Sequence, residues 1–261
     1  MSPNKHSISL LSLLALTIVA SGCVSNSSTN LNQDFSTETT PVELNQSGES
    51  ILDQAFSQKA ENYSVDSKTQ VLFNTPVTSF RINLTSEGDF RPERSNITST
   101  TKIGLGGFSG DEDQEWPEKT VETSGNTSKV TVSSEENSTR RTVEAFNRTE
   151  LGLSMKAFEN VGVEEAELLG ATGENQSQLI LELEASESEL ASNYASIFER
   201  HAVNEQEGDA SAQTQEEFDS FNQTKAFAWI DREERTLGRF SYYGSNADGA
   251  IQVRVDARFE N

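Results

Sequence analysis

Two histidines, His6 and His201, and a single cysteine, Cys23, are the chain's whole stock of imidazole and thiol. A nucleophilic triad needs a histidine held against its serine or cysteine and oriented by a carboxylate. His201 follows Phe198 on the apolar stripe of a predicted helix, so its expected place is packed at a helix end. Histidine- and thiolate-based metal sites need more such ligands than this chain has. Gly104-Leu-Gly-Gly-Phe-Ser-Gly110 lacks the Lys-Ser/Thr of a phosphate loop and reads as a bulged strand end and turn. Asp111, Asp113 and Glu115 alternate, a spacing that oxygen ligands of Ca²⁺ can use, but solvated loop acids are the simpler reading. Asp and Glu together number 42, and that abundance singles out no pair for glycoside hydrolysis. The expectation is a protein without catalytic residue, metal or cofactor, and so not an enzyme.

Cys23 invites a different chemistry. A polar head carrying Lys5 precedes the mostly apolar run Ser7–Ala20, and Ser21-Gly22-Cys23 closes it. That is the layout of a secretory signal. The run is shorter than the ~20 residues of a stable membrane span. Ala20-Ser21-Gly22-Cys23 resembles the lipobox of secreted lipoproteins, in which the cysteine thiol takes a diacylglyceryl chain and becomes the mature N-terminus. Ala20 departs from the commonest pattern, which has Leu there. We therefore expect a signal over 1–22, lipid attachment at Cys23, and a protein held on the extracellular face of the cell membrane. An uncleaved signal anchor, or an ordinary cleavage site beside a chance cysteine, is the alternative. Residues 23–48, rich in Ser, Thr, Asn and Gln after the cysteine, are expected to form a flexible tether of ~80 Å when fully extended.

Charge narrows the partners. Lys plus Arg is 20 against 42 acids, a net of −22. Such a surface repels nucleic acid and anionic lipid heads, so no nucleic acid is expected. With only 8 Lys among the bases, the balance resembles that of proteins adapted to high salt, as in halophilic archaea. An acidic surface protein of low salt is the competing reading. Asn-x-Ser/Thr sequons begin at Asn26, Asn45, Asn62, Asn83, Asn96, Asn126, Asn137, Asn147, Asn175 and Asn222. Those from Asn62 to Asn222 lie in the expected folded part and are candidate glycosylation sites.

The elements follow from periodicity. Ile51, Leu52, Ala55, Phe56 and Ala60 recur at helical spacing, and then the period drops to two. Tyr63, Val65, Val71 and Phe73 share one face, and Phe80, Ile82 and Leu84 alternate with Arg81, Asn83 and Thr85. Further strands are expected near 96–105, 128–134, 139–146, 163–170, 177–185, 225–231, 236–243 and 250–259. A long loop is expected between Gly106 and Gly125. A helix capped near Asn147 and stopped at Gly162 carries Met155 and Phe158, and a third follows the capping box Ser186–Glu189 over about 187–202. The strict alternation of Ile251, Val253, Val255, Ala257 and Phe259 marks an antiparallel sheet with one buried face and one wet face. The fold class is α+β: an antiparallel half-barrel sheet of about ten strands packed against about three helices, forming a single domain over 49–261.

This layout resembles the LolA/LppX-like lipoproteins. By residues, the likeness is carried by the hairpin Lys225-Ala-Phe-Ala-Trp-Ile-Asp-Arg-Glu-Glu-Arg-Thr-Leu-Gly-Arg-Phe240. The resemblance implies an incomplete antiparallel barrel whose apolar cavity binds acyl chains, and it supplies no catalytic residue. Leu181, Leu183, Tyr194, Phe198, Phe227 and Trp229 are the cavity candidates, and they could equally form a filled core. Trp116, Tyr242 and Tyr243 could join a cavity or an exposed sugar-binding face. The leading expectation is a membrane-anchored lipoprotein that binds a lipid or other hydrophobic ligand. The alternative is a non-enzymatic envelope scaffold or sensor that binds a protein partner.

Overall fold

The computed structural model describes residue 31 and residues 38–58, 62–74, 79–106, 114–115, 117–133, 138–144, 154–159, 163–186 and 221–260. After helix α1 (Gly48–Ser57) the chain runs through β1 (Tyr63–Asn74), β2 (Ser79–Arg91), β3 (Arg94–Gly106), β4 (Gln114–Glu115), β5 (Glu118–Ser124), β6 (Thr127–Ser133) and β7 (Ser138–Glu144). Helix α2 (Met155–Glu159) leads into β8 (Val163–Thr172), β9 (Gln178–Ala185), β10 (Phe221–Asp231), β11 (Leu237–Asn246) and β12 (Ile251–Glu260).

All twelve strands belong to one antiparallel sheet. Its order is β7-β6-β5-β3-β2-β1-β12-β11-β10-β9-β8, with β4 also beside β3. Two meanders are thus joined along a single seam, where β12 pairs with β1 from Ser64–Glu260 to Phe73–Ile251. Strands β7 and β8 are the open edges. Arg140 and Arg141 on β7 guard one of them, as charges commonly do on free strands. Thr40 caps the other, exchanging two backbone hydrogen bonds of 2.8 and 2.9 Å with Ala171.

All ten strands read from the sequence are present, and two more fill the stretch expected as a loop. β5 has only Val121 as an apolar residue, so alternation does not reveal it. Its hairpin signal is the Gly125-Asn126 turn, with Gly125 at φ +55° between the paired Ser124 and Thr127. Two α-helices stand among the described residues, which are therefore mostly β, and the helix expected at 187–202 lies outside them. The expected cap at Asn147 also lies outside them. α2 instead takes Ser154 as its N-cap, whose Oγ accepts from the Ala157 N–H at 3.1 Å.

The tether expectation needs correction over most of its described length. Thr40 is paired to β8, Val42 and Leu44 pack against the core, and Ser47 caps α1. Leu31, buried at 7 % exposure, packs with Leu72 and Tyr243, and its N–H donates to Gln252 Oε1 at 3.0 Å. An isolated leucine in a polar stretch gives no periodic signal, which is why composition alone reads this stretch as coil.

α1 buries Ile51, Leu52, Ala55 and Phe56 as their spacing predicts, and lies over β8. α2 is held by the sheet: Phe158 sits 4.8 Å from the Phe240 ring and 5.6 Å from Phe259, and the Met155 N–H donates to Tyr63 Oη at 3.1 Å. Tyr63 is itself stacked on Phe90 at 5.0 Å. Removing only the hydroxyl leaves that stacking intact and orphans a buried N–H, so Tyr63→Phe is expected to cost about 1–3 kcal/mol. Chemical denaturation of the two proteins measures it, and an unchanged midpoint would show that the hydroxyl does not hold α2.

Candidate functional site

The inner face of the sheet carries one continuous core, from Val130 on β6 to Ala166 on β8. On the second meander it is apolar: Leu179, Leu181 and Leu183 face Ile230, Ala228 and Ala226, with Phe240 and Tyr242 beyond. On the first meander the register sets hydroxyl rows between apolar ones. Val65, Gly88, Ile97, Val121 and Val130 lie side by side, and next to them run Ser67, Ser86, Ser99 and the Lys119 position. Thr69, Leu84 and Thr101 form the following row. All these serines and threonines are nearly inaccessible. Ser86 and Ser99 bond each other at 2.9 Å. Thr69 Oγ1 and Ser95 Oγ, both buried, have no hydrogen-bond partner among the described residues. Buried polar atoms are normally paired, so each such orphan calls for an explanation.

The sheet divides the predicted cavity residues. Leu181 and Leu183 belong to the inner core, whereas Phe227 and Trp229 form a separate cluster with Ile180 on the outer face. Adjacent positions on a strand point to opposite faces, and over Phe227–Ile230 of β10 and Phe240–Ser245 of β11 both sets are buried, whereas β9 keeps Glu182 half-buried and Glu184 exposed on its outer face. The wet outer face read for 250–259 is present on β12, where Arg258 and Glu260 are exposed, but does not extend over β10 and β11. Arg239 lies over the Trp229 ring at 4.2 Å from its centre and is held by Asp256, whose Oδ1 accepts from Nε at 2.8 Å. An aromatic face already covered by a guanidinium is not open to stack on a sugar. Tyr243 is on the outer face and Tyr242 on the inner. Tyr194, Phe198, Trp116, His201, Asp111, Asp113 and Cys23 lie outside the described residues.

No protein-family model and no curated protein matches the sequence. Among solved structures the likenesses are weak. The chain is similar to an outer membrane lipoprotein-sorting protein domain from Vibrio parahaemolyticus, at 10% identity over 82% of this chain and 92% of that one, with a TM-score of 0.27. It is similar to a DUF1329 family protein from Desulfovibrio piger, at 9% identity, 82% and 91% coverage and a TM-score of 0.19. It is also similar to a β-barrel-like protein of the DUF1849 domain from Brucella abortus, at 9% identity, 76% and 98% coverage and a TM-score of 0.21. Scores this low carry no argument about ligand or mechanism, and the functional reading rests on the chain's own geometry.

An open cleft of about 1230 Å³ lies where the start of α1 meets β8 and β9, lined by Glu49, Glu164, Glu165, Glu167, Glu182 and Glu184 with Lys225. Among the described residues no group of three or more ligands is placed to hold a metal. Hydrogen bonds from Ser47, its own backbone and the Ala166 N–H hold the Glu49 carboxyl there below the usual range. Sequon residues Asn62, Asn96, Asn126 and Asn175 are exposed. Asn83 is half-buried, and its Oδ1 accepts from Gln70 Nε2 at 3.0 Å. The side chain of Asn222 and residues Asn137 and Asn147 lie outside the described residues.

Proposed function

We propose that this chain is a non-enzymatic envelope lipoprotein, anchored through Cys23, whose half-barrel interior binds a lipid or related amphiphile. The observation that carries the reading is two buried hydroxyls, Thr69 Oγ1 and Ser95 Oγ, that have no partner among the described residues and lie three rows apart on the inner face, with the apolar row through Val65 and Ile97 between them. A core that serves stability alone gains by replacing such a hydroxyl with a methyl. A ligand with both a hydrocarbon part and a hydrogen-bonding ester or hydroxyl accounts for both kinds of row. The apolar rows take its chains, and the serine–threonine belt takes its polar group.

Thr69→Val tests this because the two side chains are isosteric. If the hydroxyl serves a ligand, the variant is more stable without ligand by about 1 kcal/mol and retains less lipid. The measurement is native mass spectrometry after incubation with a total lipid extract, beside a denaturation curve of the lipid-free protein. Equal lipid retention by both proteins removes Thr69 from the site. A wild-type chain that retains no lipid refutes the binding function.

A further inference from the structure

The two faces of the sheet do not share the chain's acids. On the first meander Asp66, Glu87, Asp89, Glu118, Glu122 and Glu144 all alternate with core positions and so stand on the outer face. Glu115 on β4 pairs with the outer Lys102. On the second meander Glu182, Glu184 and Asp256 alternate in the same way with Leu181, Leu183 and Val255, and Glu165 and Glu167 pair with Glu184 and Glu182. Among the described residues, then, no acid is paired on the inner face, in a chain with 42 acids against 20 Lys plus Arg. Two bases are: Lys119, the partner of Ser99, and Arg141, the partner of Val130. Arg141 is exposed on the edge strand, whereas Lys119 is only 6 % exposed.

Lys119 continues the row of hydroxyls. Ser67, Ser86 and Ser99 are successive cross-strand partners on β1, β2 and β3, and Lys119 follows on β5. The row is one residue wide. Val65, Ile97 and Val121 flank it on one side and Leu84 on the other. Lysine is seldom buried this far unless negative charge meets it. A carboxylate or phosphate oxygen also accepts from hydroxyls, which a neutral ester does more weakly.

We propose that the interior of the half-barrel selects a singly charged anionic amphiphile, whose carboxylate or phosphodiester headgroup sits on Lys119 beside Ser86 and Ser99. The inference rests on the lipid-binding reading above and narrows it to the sign of the headgroup. A narrow polar row between apolar rows matches a small headgroup with hydrocarbon running past it. The acids that make the chain repel anionic surfaces stand on the other side of the sheet, so they do not oppose an anion held within.

Palmitate and hexadecanol share a chain length and differ in charge. The non-acylated full chain, stripped of lipid, is titrated with each by displacement of the uncharged dye Nile red. The parent protein is expected to bind palmitate about tenfold or more tightly than hexadecanol. Lys119→Met keeps a side chain of similar length without the charge, and should abolish that preference while hexadecanol binding is unchanged. Lys119→Arg should retain it. Lysophosphatidylglycerol, run beside palmitate, tells a phosphodiester from a carboxylate: the true headgroup is the one that Lys119→Met weakens more. Should Lys119→Met fail to fold, the parent's preference and its retention by Lys119→Arg decide. Equal affinity of the parent for palmitate and hexadecanol, or a preference that survives Lys119→Met, overturns the headgroup assignment and leaves lipid binding standing. A parent that binds none of the three overturns both readings.

Discussion

Gly48→Ala is expected to destabilise the protein by about 2–4 kcal/mol, although alanine is the better helix former. Gly48 opens α1 where the helix lies against β8. A Cβ there would stand 2.0 Å from the Ala166 carbonyl oxygen and 2.6 Å from its carbon. Both atoms are backbone in a paired strand, so neither can swing aside, and the helix must lift. Helix propensity alone predicts a gain of up to about 1 kcal/mol, so the sign of the change decides between the two effects. Lifting α1 partly uncovers Ile51, Leu52, Ala55 and Phe56, each almost fully buried, and apolar burial of that kind is worth about 1.5–3 kcal/mol per large side chain. Urea denaturation reads the result, and a stabilised variant would mean that α1 does not bear on β8 as described. The same contact answers to pH. Glu49 has its acidity raised by folding, so its contribution is complete above the ordinary carboxylate range and is lost as pH falls through the lowered value.

Raising salt from 0.1 to 2 M KCl is expected to raise the melting temperature by about 5–10 °C. Glu165 stands directly across from Glu184, Glu167 from Glu182, and Asp66 from Glu87. Side chains so placed lie about 5 Å apart at Cβ, and like charges there cost up to about 1 kcal/mol per pair. The Debye length is about 10 Å at 0.1 M and about 3 Å at 1 M, so only the higher salt brings it below that spacing. The net charge of −22 adds a diffuse repulsion that is relieved in the same direction. The paired substitution Glu165→Gln/Glu167→Gln should raise stability at low salt and flatten the salt dependence. A flat or falling profile for the parent protein would show that these acids are already neutralised in the fold.

The strands that alternate cleanly were legible in the sequence, and so were the apolar faces of both described helices. Alternation marks a strand, but it tells which face is inner only when the other is wet. At β9–β10 the runs Leu179-Ile180-Leu181 and Phe227-Ala228-Trp229-Ile230 are apolar on both sides. Nothing local assigns Trp229 to one face, and the expected grouping with Leu181 does not form. The hydroxyl belt was invisible for another reason. Ser67, Ser86 and Ser99 look like solvent-facing residues until the register places them side by side on a buried face. Leu31 was missed because one residue has no period.

The seam between β1 and β12 also dictates when the molecule can become whole. A ribosome releases β1 well over a hundred residues before β12, yet each needs the other as its partner. Until β12 arrives, the first meander waits with β1 as a raw edge, able to recruit a strand from any neighbouring chain. Partners so distant in sequence also make for slow folding. A nascent chain of this topology therefore needs shelter until β12 has emerged, and deleting β12 would leave two separate half-sheets.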